Sequence, residues 1–135
     1  MEVRFLPGAP MKAILVLPLS PSTNTYYRKY NNIMVIGAEG RAFRKAVQEY
    51  VLVNKIPKFR DRKLKITMVI SPRDKRKIDI DNRIKAVLDS LQKAGVFDDD
   101  FHVDHLEMIR GEVIKGGQLL VTIEEIPPIN SEVSP

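Results

Sequence analysis

The clearest alternation in the chain lies at residues 63–70, where Leu64, Ile66, Met68 and Ile70 occupy every second position. Successive side chains on a strand point to opposite faces, so this run predicts a strand with one buried side. Residues 11–17 are almost wholly apolar and read as a buried strand. The period shifts to that of a helix over 38–53, where Ala42, Phe43, Ala46, Val47, Tyr50 and Val51 recur. A second helix is predicted over 81–94: Ile84, Val87, Leu88 and Leu91 form one stripe, and Gly95 stands where a helix stop belongs. Pro18, Ser20, Pro21, Ser22 and Asn24 mark a loop after the first strand. Residues 26–36 fit a loose hairpin about Asn31 and Asn32. Residues 103–114 and 118–126, apolar on both sides of Lys115-Gly116-Gly117, fit a second hairpin.

No internal repeat interrupts this pattern. It predicts an α+β protein: a single small domain with a mixed or antiparallel sheet packed with two main helices. Residues 1–10 read as an N-terminal extension rich in Pro and Gly, 11–126 as the folded unit, and 127–135 as a disordered tail.

Composition narrows the chemistry. The 135 residues contain no cysteine, which removes disulfides, thiolate metal sites and a cysteine nucleophile. No apolar run reaches the length that spans a bilayer, and the first ten residues lack the apolar stretch of a signal peptide. A cytoplasmic protein with no membrane partner is expected. The net charge of +5 is modest, but its distribution is not even. Residues 55–77 hold ten basic and two acidic side chains, whereas 98–104 is acidic. A basic field beside an acidic cluster suits a protein that grips a phosphate backbone and places a cation on it; a solvated charged surface has the same composition.

The chemistry centres on Lys77-Ile-Asp79-Ile-Asp81-Asn82-Arg-Ile-Lys85. In an extended segment Asp79 and Asp81 project to one side and repel unless a cation lies between them. Such oxygen-only sites suit Mg²⁺, which takes one or two carboxylates and completes its octahedron with water and phosphate. Asp81 also stands where a helix begins, so it can serve as an N-cap; Asp79, outside the helix, has no such role. The second acidic element, Asp98-Asp99-Asp100, follows the helix, whose 14 residues span roughly 20 Å. It must therefore run back if its carboxylates are to join the first pair. Lys85 lies four residues after Asp81 and fits either a helical ion pair or a cation facing the metal site. The acidic turn fails the calcium-loop template, lacking the Gly at position six and the Glu at position twelve. His102 and His105 have no third histidine or cysteine to complete a zinc site.

Residues 79–100, Asp-Ile-Asp-Asn-Arg-Ile-Lys-Ala-Val-Leu-Asp-Ser-Leu-Gln-Lys-Ala-Gly-Val-Phe-Asp-Asp-Asp, closely resemble the signature of the RusA-type Holliday junction resolvases. That signature is Asp-x-Asp-Asn, a Lys three after the Asn, a helix ending Lys-Ala-Gly, then an acidic turn. Residues 18–28, with Pro-Ser-Thr-Asn-Thr-Tyr-Tyr-Arg, resemble the family's N-terminal loop. Ala38-Glu39-Gly40 and Lys115-Gly116-Gly117 also have counterparts. The resemblance covers roughly 11–126 and implies a homodimer that makes paired symmetric nicks in four-way DNA junctions with Mg²⁺. It places the essential carboxylates on Asp79, Asp81 and Asp100 and the essential lysine on Lys85. Asp98 departs from the pattern, where an apolar residue is more usual.

The mechanism this implies has the three aspartates holding one or two Mg²⁺ ions against the scissile phosphate, with Lys85 stabilising developing negative charge. Arg73, Lys75, Arg76 and Lys77 contact flanking phosphates, and Asn24 and Arg28 add contacts from the N-terminal loop. Phe97 or Phe101 can stack on an exposed base or pack in the core. Three other readings share parts of the pattern. One is a nuclease of the same fold acting on another branched DNA, such as a flap. Another is an Asp-x-Asp transferase that binds a nucleotide diphosphate, although no Gly-rich phosphate loop or dinucleotide fingerprint occurs. The last is a binding-only protein, against which the intact acids argue.

Overall fold

A computed structural model describes residues 9–128. The N-terminal extension and the C-terminal tail expected from the sequence lie almost entirely outside these residues. The chain order is β1 (Lys12–Leu17), α1 (Thr23–Tyr26), β2 (Tyr27–Tyr30), β3 (Ile33–Ile36), α2 (Ala38–Val53), β4 (Leu64–Ser71), α3 (Ile84–Lys93), β5 (Val103–Arg110) and β6 (Gln118–Glu125). Short 3₁₀ turns at Asp81–Arg83 and Asp100–His102 flank α3 and its following loop.

Four strands form one mixed sheet in the order β1-β6-β4-β5. β6 runs antiparallel to both β1 and β4, whereas β4 and β5 are parallel. The alternation seen at 63–70 is realised in full: Leu64, Ile66, Met68 and Ile70 are all buried at the centre of the core. Burying one such side chain contributes about 1.5–3 kcal/mol. β4 is therefore firmly held, and the basic loop that starts at Pro72 leaves from a fixed point.

A parallel pair cannot be joined by a tight turn; it needs a crossover of a dozen or more residues. The basic loop, α3 and the acidic turn together are that crossover. The Asp79–Asp81 segment and the Asp98–Asp100 turn thus belong to one β-α-β unit, one before its helix and one after.

Two strand assignments differ from the sequence reading. β5 and β6 do not form a hairpin: β4 lies between them. The connection after Arg110 passes the end of β4, with Gly111 N–H donating to Ile70 O (2.8 Å) and Ile114 N–H to Pro72 O (2.9 Å). It then turns at Gly116 and Gly117. Neighbouring strands are about 4.8 Å apart, so this connection need only step across one strand, and a Gly-Gly turn does not by itself decide which strands pair. β1 is not wholly buried either. It is an edge strand with Ala13, Leu15 and Leu17 in the core and Ile14 and Val16 on the open face.

The hairpin about Asn31 and Asn32 forms as expected, as a separate two-stranded sheet. Both asparagines have positive φ, 49° and 64°, the backbone that a two-residue type I′ turn requires. α2 spans the expected residues and buries Phe43 and Val47. Gly40 lets it approach the preceding elements closely: a Cβ there would fall 2.6 Å from the Tyr26 carbonyl oxygen.

The second helix begins as 3₁₀ and becomes α-helical at Ile84, burying Ala86, Val87, Ser90 and Leu91. Gly95 ends it at φ +81°. Its N–H reaches Gln92 O (3.0 Å) and the Val96 N–H reaches Leu91 O (3.0 Å), the paired bonds of a Schellman stop. Val96 and Phe97 then dive into the core, and the Asp98 N–H bonds Arg60 O at 2.9 Å. The acidic turn is thereby tied at its start to packed structure.

Candidate active site

Asp79 lies in the irregular segment before the 3₁₀ turn and lines a groove of about 680 Å³. Ile80 is in the αR region (φ −69°, ψ −36°), so the extended backbone expected between Asp79 and Asp81 is not formed. Lys75, Arg76, Lys77 and Arg110 line the same groove. Both Asp79 and Asp81 are exposed, and among the described residues neither takes part in an ion pair. Asp81 does not cap the helix as its position suggested. It is the first residue of the 3₁₀ turn, the cap position falls on Ile80, and no side chain bonds there. Its i, i+4 ion pair with Lys85 is likewise not formed. Two exposed carboxylates two residues apart, with their oxygens uncommitted, are a donor set that suits a hard divalent cation.

The acidic turn divides its labour. Asp98 is exposed. Asp99 caps the 3₁₀ turn by accepting from the Phe101 N–H (2.9 Å), and this bond lowers its carboxyl pKa. Asp100 donates its own N–H to Gln92 Oε1 at 3.2 Å, which fixes the turn to α3. The Asp100 carboxyl is pushed up by desolvation, then by the neighbouring Asp99; Lys85 opposes the rise and Asp89 adds to it. Lys85, Asp89 and Gln92 are spaced i, i+4, i+7 and so share one line along α3. The turn does run back beside its helix, and Asp100 sits within the charge field of Lys85.

The expected meeting of Asp100 with Asp79 and Asp81 is not formed in this single chain: among the described residues no three acidic or histidine side chains converge to hold a metal. The histidines do not join either. His105 Nε2 pairs with Glu107 (3.0 Å), and His102 lies edge-on to Phe101.

The N-terminal loop docks onto the start of α3. Thr23 Oγ1 donates to Asn82 O (3.0 Å), Ser20 Oγ donates to Arg83 O (3.4 Å), and the Arg83 guanidinium donates back to Ser20 O. Asn24, exposed on α1, is thus held at the same end of the molecule as the Asp79–Asp81 segment, and Arg28 is exposed on β2. Arg73, Lys75, Arg76 and Lys77 are all exposed. Arg76 forks onto Asp74 (2.7 Å at the closest), which lowers the Asp74 pKa to about 2. Of the two aromatic candidates, Phe97 is buried and Phe101 is 80% exposed.

Sequence reasoning passed over Asp89, Arg44 and Tyr26. The Asp89 carboxylate accepts the Tyr26 hydroxyl and a fork from Arg44 (Nη2 at 2.5 Å, Nε at 3.2 Å), joining α1, α2 and α3. The available signal was an arginine and an aspartate, each bordering the apolar stripe of a different helix. Burial raises the Asp89 pKa, but the bonds from Tyr26 and Arg44 outweigh it and the net shift is downward. A lowered native pKa gives stability that is present above the unfolded value, about 3.9, and lost as pH falls through the native one. Asp89→Asn should therefore cost about 1–3 kcal/mol at neutral pH, with a smaller difference from wild type in acid. Urea melts at the two pH values measure both; equal losses at each would detach the effect from the charge.

Sequence comparisons identify the family. A family model described as Endodeoxyribonuclease RusA matches residues 18–124. The chain is 37% identical over 114 residues to a crossover junction endodeoxyribonuclease RusA of Enterobacteria phage HK97, covering 84% of this chain and 95% of that one. It is 36% identical over 112 residues to the enzyme of that name from Enterobacteria phage 82, and 35% over 112 residues to that of Escherichia coli strain K12; each match covers 83% of this chain and 93% of the other. With the signature segment, the acidic turn and the N-terminal loop folded together, and a match over most of its length, this chain belongs to the RusA family of endodeoxyribonucleases, which depend on a divalent metal for hydrolysis.

Proposed function

We propose that the chain resolves four-way DNA junctions by paired symmetric nicks, as a homodimer, with Mg²⁺ held by Asp79, Asp81 and Asp100. The observation that carries this reading is the groove in which uncommitted Asp79 lies among Lys75, Arg76, Lys77 and Arg110. Cations there hold the strand while the carboxylate faces its phosphate. Asp100 fits the third ligand better than Asp99, because Asp99 is committed to the Phe101 N–H while Asp100 lies in the field of Lys85. When bound, the metal lowers the pKa of a water and shields the phosphate oxygens. Lys85 supplies positive charge against the developing oxyanion. Asn24 and Arg28 extend the contact surface, and Phe101 offers an exposed ring for a base unstacked at the crossover.

A junction with near two-fold symmetry calls for two sites related by a two-fold axis. The sheet face away from the helices bears an apolar row of Val16, Leu120, Val69 and Ile109 across its four strands, surface of the kind a second copy can cover.

The deciding experiment is cleavage of a synthetic four-way junction beside linear duplex and flap DNA, with and without Mg²⁺. Symmetric nicks in the junction alone, only with metal, are expected. Preferential cutting of the flap would replace the junction by another branched substrate. In the same system Arg76→Ala with Lys77→Ala should weaken binding to every DNA form and reduce the slope of log affinity against log salt by up to about 0.9 per lost phosphate contact. An unchanged slope would turn these side chains away from DNA.

A further inference from the structure

Arg83 stands at a position that the Asp-x-Asp-Asn and Lys signature leaves open. It is half-buried, held through one nitrogen by the Ser20 carbonyl. It lines a cavity of about 300 Å³ together with Arg73, Lys77, Leu19 and Ile78. The acid in that lining, Asp74, is engaged by Arg76. Among the described residues Arg73, Lys77 and Arg83 form no ion pair, and Glu39 lines a neighbouring cavity with Arg73. Two guanidiniums lining one small cavity repel each other. An anion between them reverses the sign of the interaction.

The volume is at the small end of ligand sites, about 300–1,000 Å³. It accommodates a phosphate group with its waters and not a buried nucleotide. Guanidinium forks match the oxygens of a phosphate bidentately. The cavity shares Arg76, Lys77 and Ile78 with the groove that contains Asp79, so it continues the same basic track.

We propose that the Arg73–Arg83 cavity seats one backbone phosphodiester of the DNA, beside the phosphate presented to Asp79; this rests on the nuclease reading above. Free phosphate offers the same oxygens, and the test separates the two sources. Junction binding is measured without divalent metal across a salt series for wild type, Arg73→Gln, Arg83→Gln, the double variant and Arg83→Lys. Because both arginines grip one phosphate, each Gln variant should weaken binding about tenfold, the strength of a charged hydrogen bond. Each single variant leaves one cation on the phosphate and should reduce the salt slope by less than about 0.9, whereas the double variant should reduce it by about 0.9 in all. Arg83→Lys should keep the slope with reduced affinity. Arg73 is exposed and its variant needs no buried bond, so the comparison survives if Arg83→Gln fails to fold.

Additive losses with two units of slope would mean separate phosphates and overturn the shared seat. So would a wild-type slope in the double variant. Millimolar inorganic phosphate that raises the melting temperature of wild type but not of Arg83→Gln, with junction affinity equal in both, would assign the cavity to free phosphate. A wild type that neither binds nor cuts junctions would sink the nuclease reading itself, whereas a cutting wild type with unaffected variants would sink only the seat.

Discussion

Asp79→Asn is expected to abolish junction cutting while leaving junction binding intact. The substitution keeps volume and removes one charge from a carboxylate that lies exposed in the basic groove. Loss of electrostatic stabilisation at a reacting phosphate is worth about 10²–10³-fold in rate for a single donor, and loss of a metal ligand should cost at least that. Binding has the opposite dependence. The groove gains a net positive charge when Asp79 is neutralised, so the junction should be held as tightly as by wild type, or more tightly at low salt. Gel-shift affinity and single-turnover cleavage of one labelled junction measure the two effects separately. A variant that cuts near the wild-type rate in Mg²⁺ would remove Asp79 from the metal site. A variant that loses cutting and binding together would make it a scaffold residue.

The legible parts of this protein were those with local causes. Leu64, Ile66, Met68 and Ile70 alternate because one face of β4 is core, and the alternation survives in the sequence. The paired asparagines and Gly95 stand where the backbone needs positive φ. The segments that carry the family signature were also legible, because the acidic pair and acidic turn flank one helix and their residues are contiguous.

What sequence did not convey depends on elements far apart in the chain. That β4 inserts between β5 and β6 is decided by the crossover through α3, not by the Gly116-Gly117 turn. The Asp89, Arg44 and Tyr26 network needs three elements to meet, 18 to 63 residues apart. Arg83 and Arg73, ten positions apart, share a cavity only because the basic loop folds back on the start of α3. The cap at Asp81 was misplaced for a related reason: the first turn is 3₁₀, which moves the start of the ladder and frees the carboxylate.

The three acids of the turn should separate cleanly in a substitution series. Asp98→Asn is expected to cut normally, because the side chain is exposed and outside the hydrogen bonds of the turn. Asp99→Asn removes the charge from the acceptor that caps the 3₁₀ turn, and N-cap losses run to about 0.5–2 kcal/mol. Asparagine is itself a good cap, so stability should fall little and cutting should be reduced severalfold at most. Asp100→Asn should abolish cutting, as Asp79→Asn does, while leaving the fold and the bond from its N–H to Gln92 in place. Metal dependence supplies a second readout. If Asp100 completes the ligand set that Asp79 and Asp81 begin, raising the Mg²⁺ concentration should restore part of the cutting that Asp100→Asn loses. Tb³⁺ luminescence should likewise show weakened cation binding in that variant and not in Asp98→Asn. If Asp100→Asn cuts normally while Asp98→Asn or Asp99→Asn is dead, the family correspondence is displaced by one or two residues. If all three cut normally, the third ligand lies outside the turn and the role of Lys85 beside Asp100 must be reassigned with it.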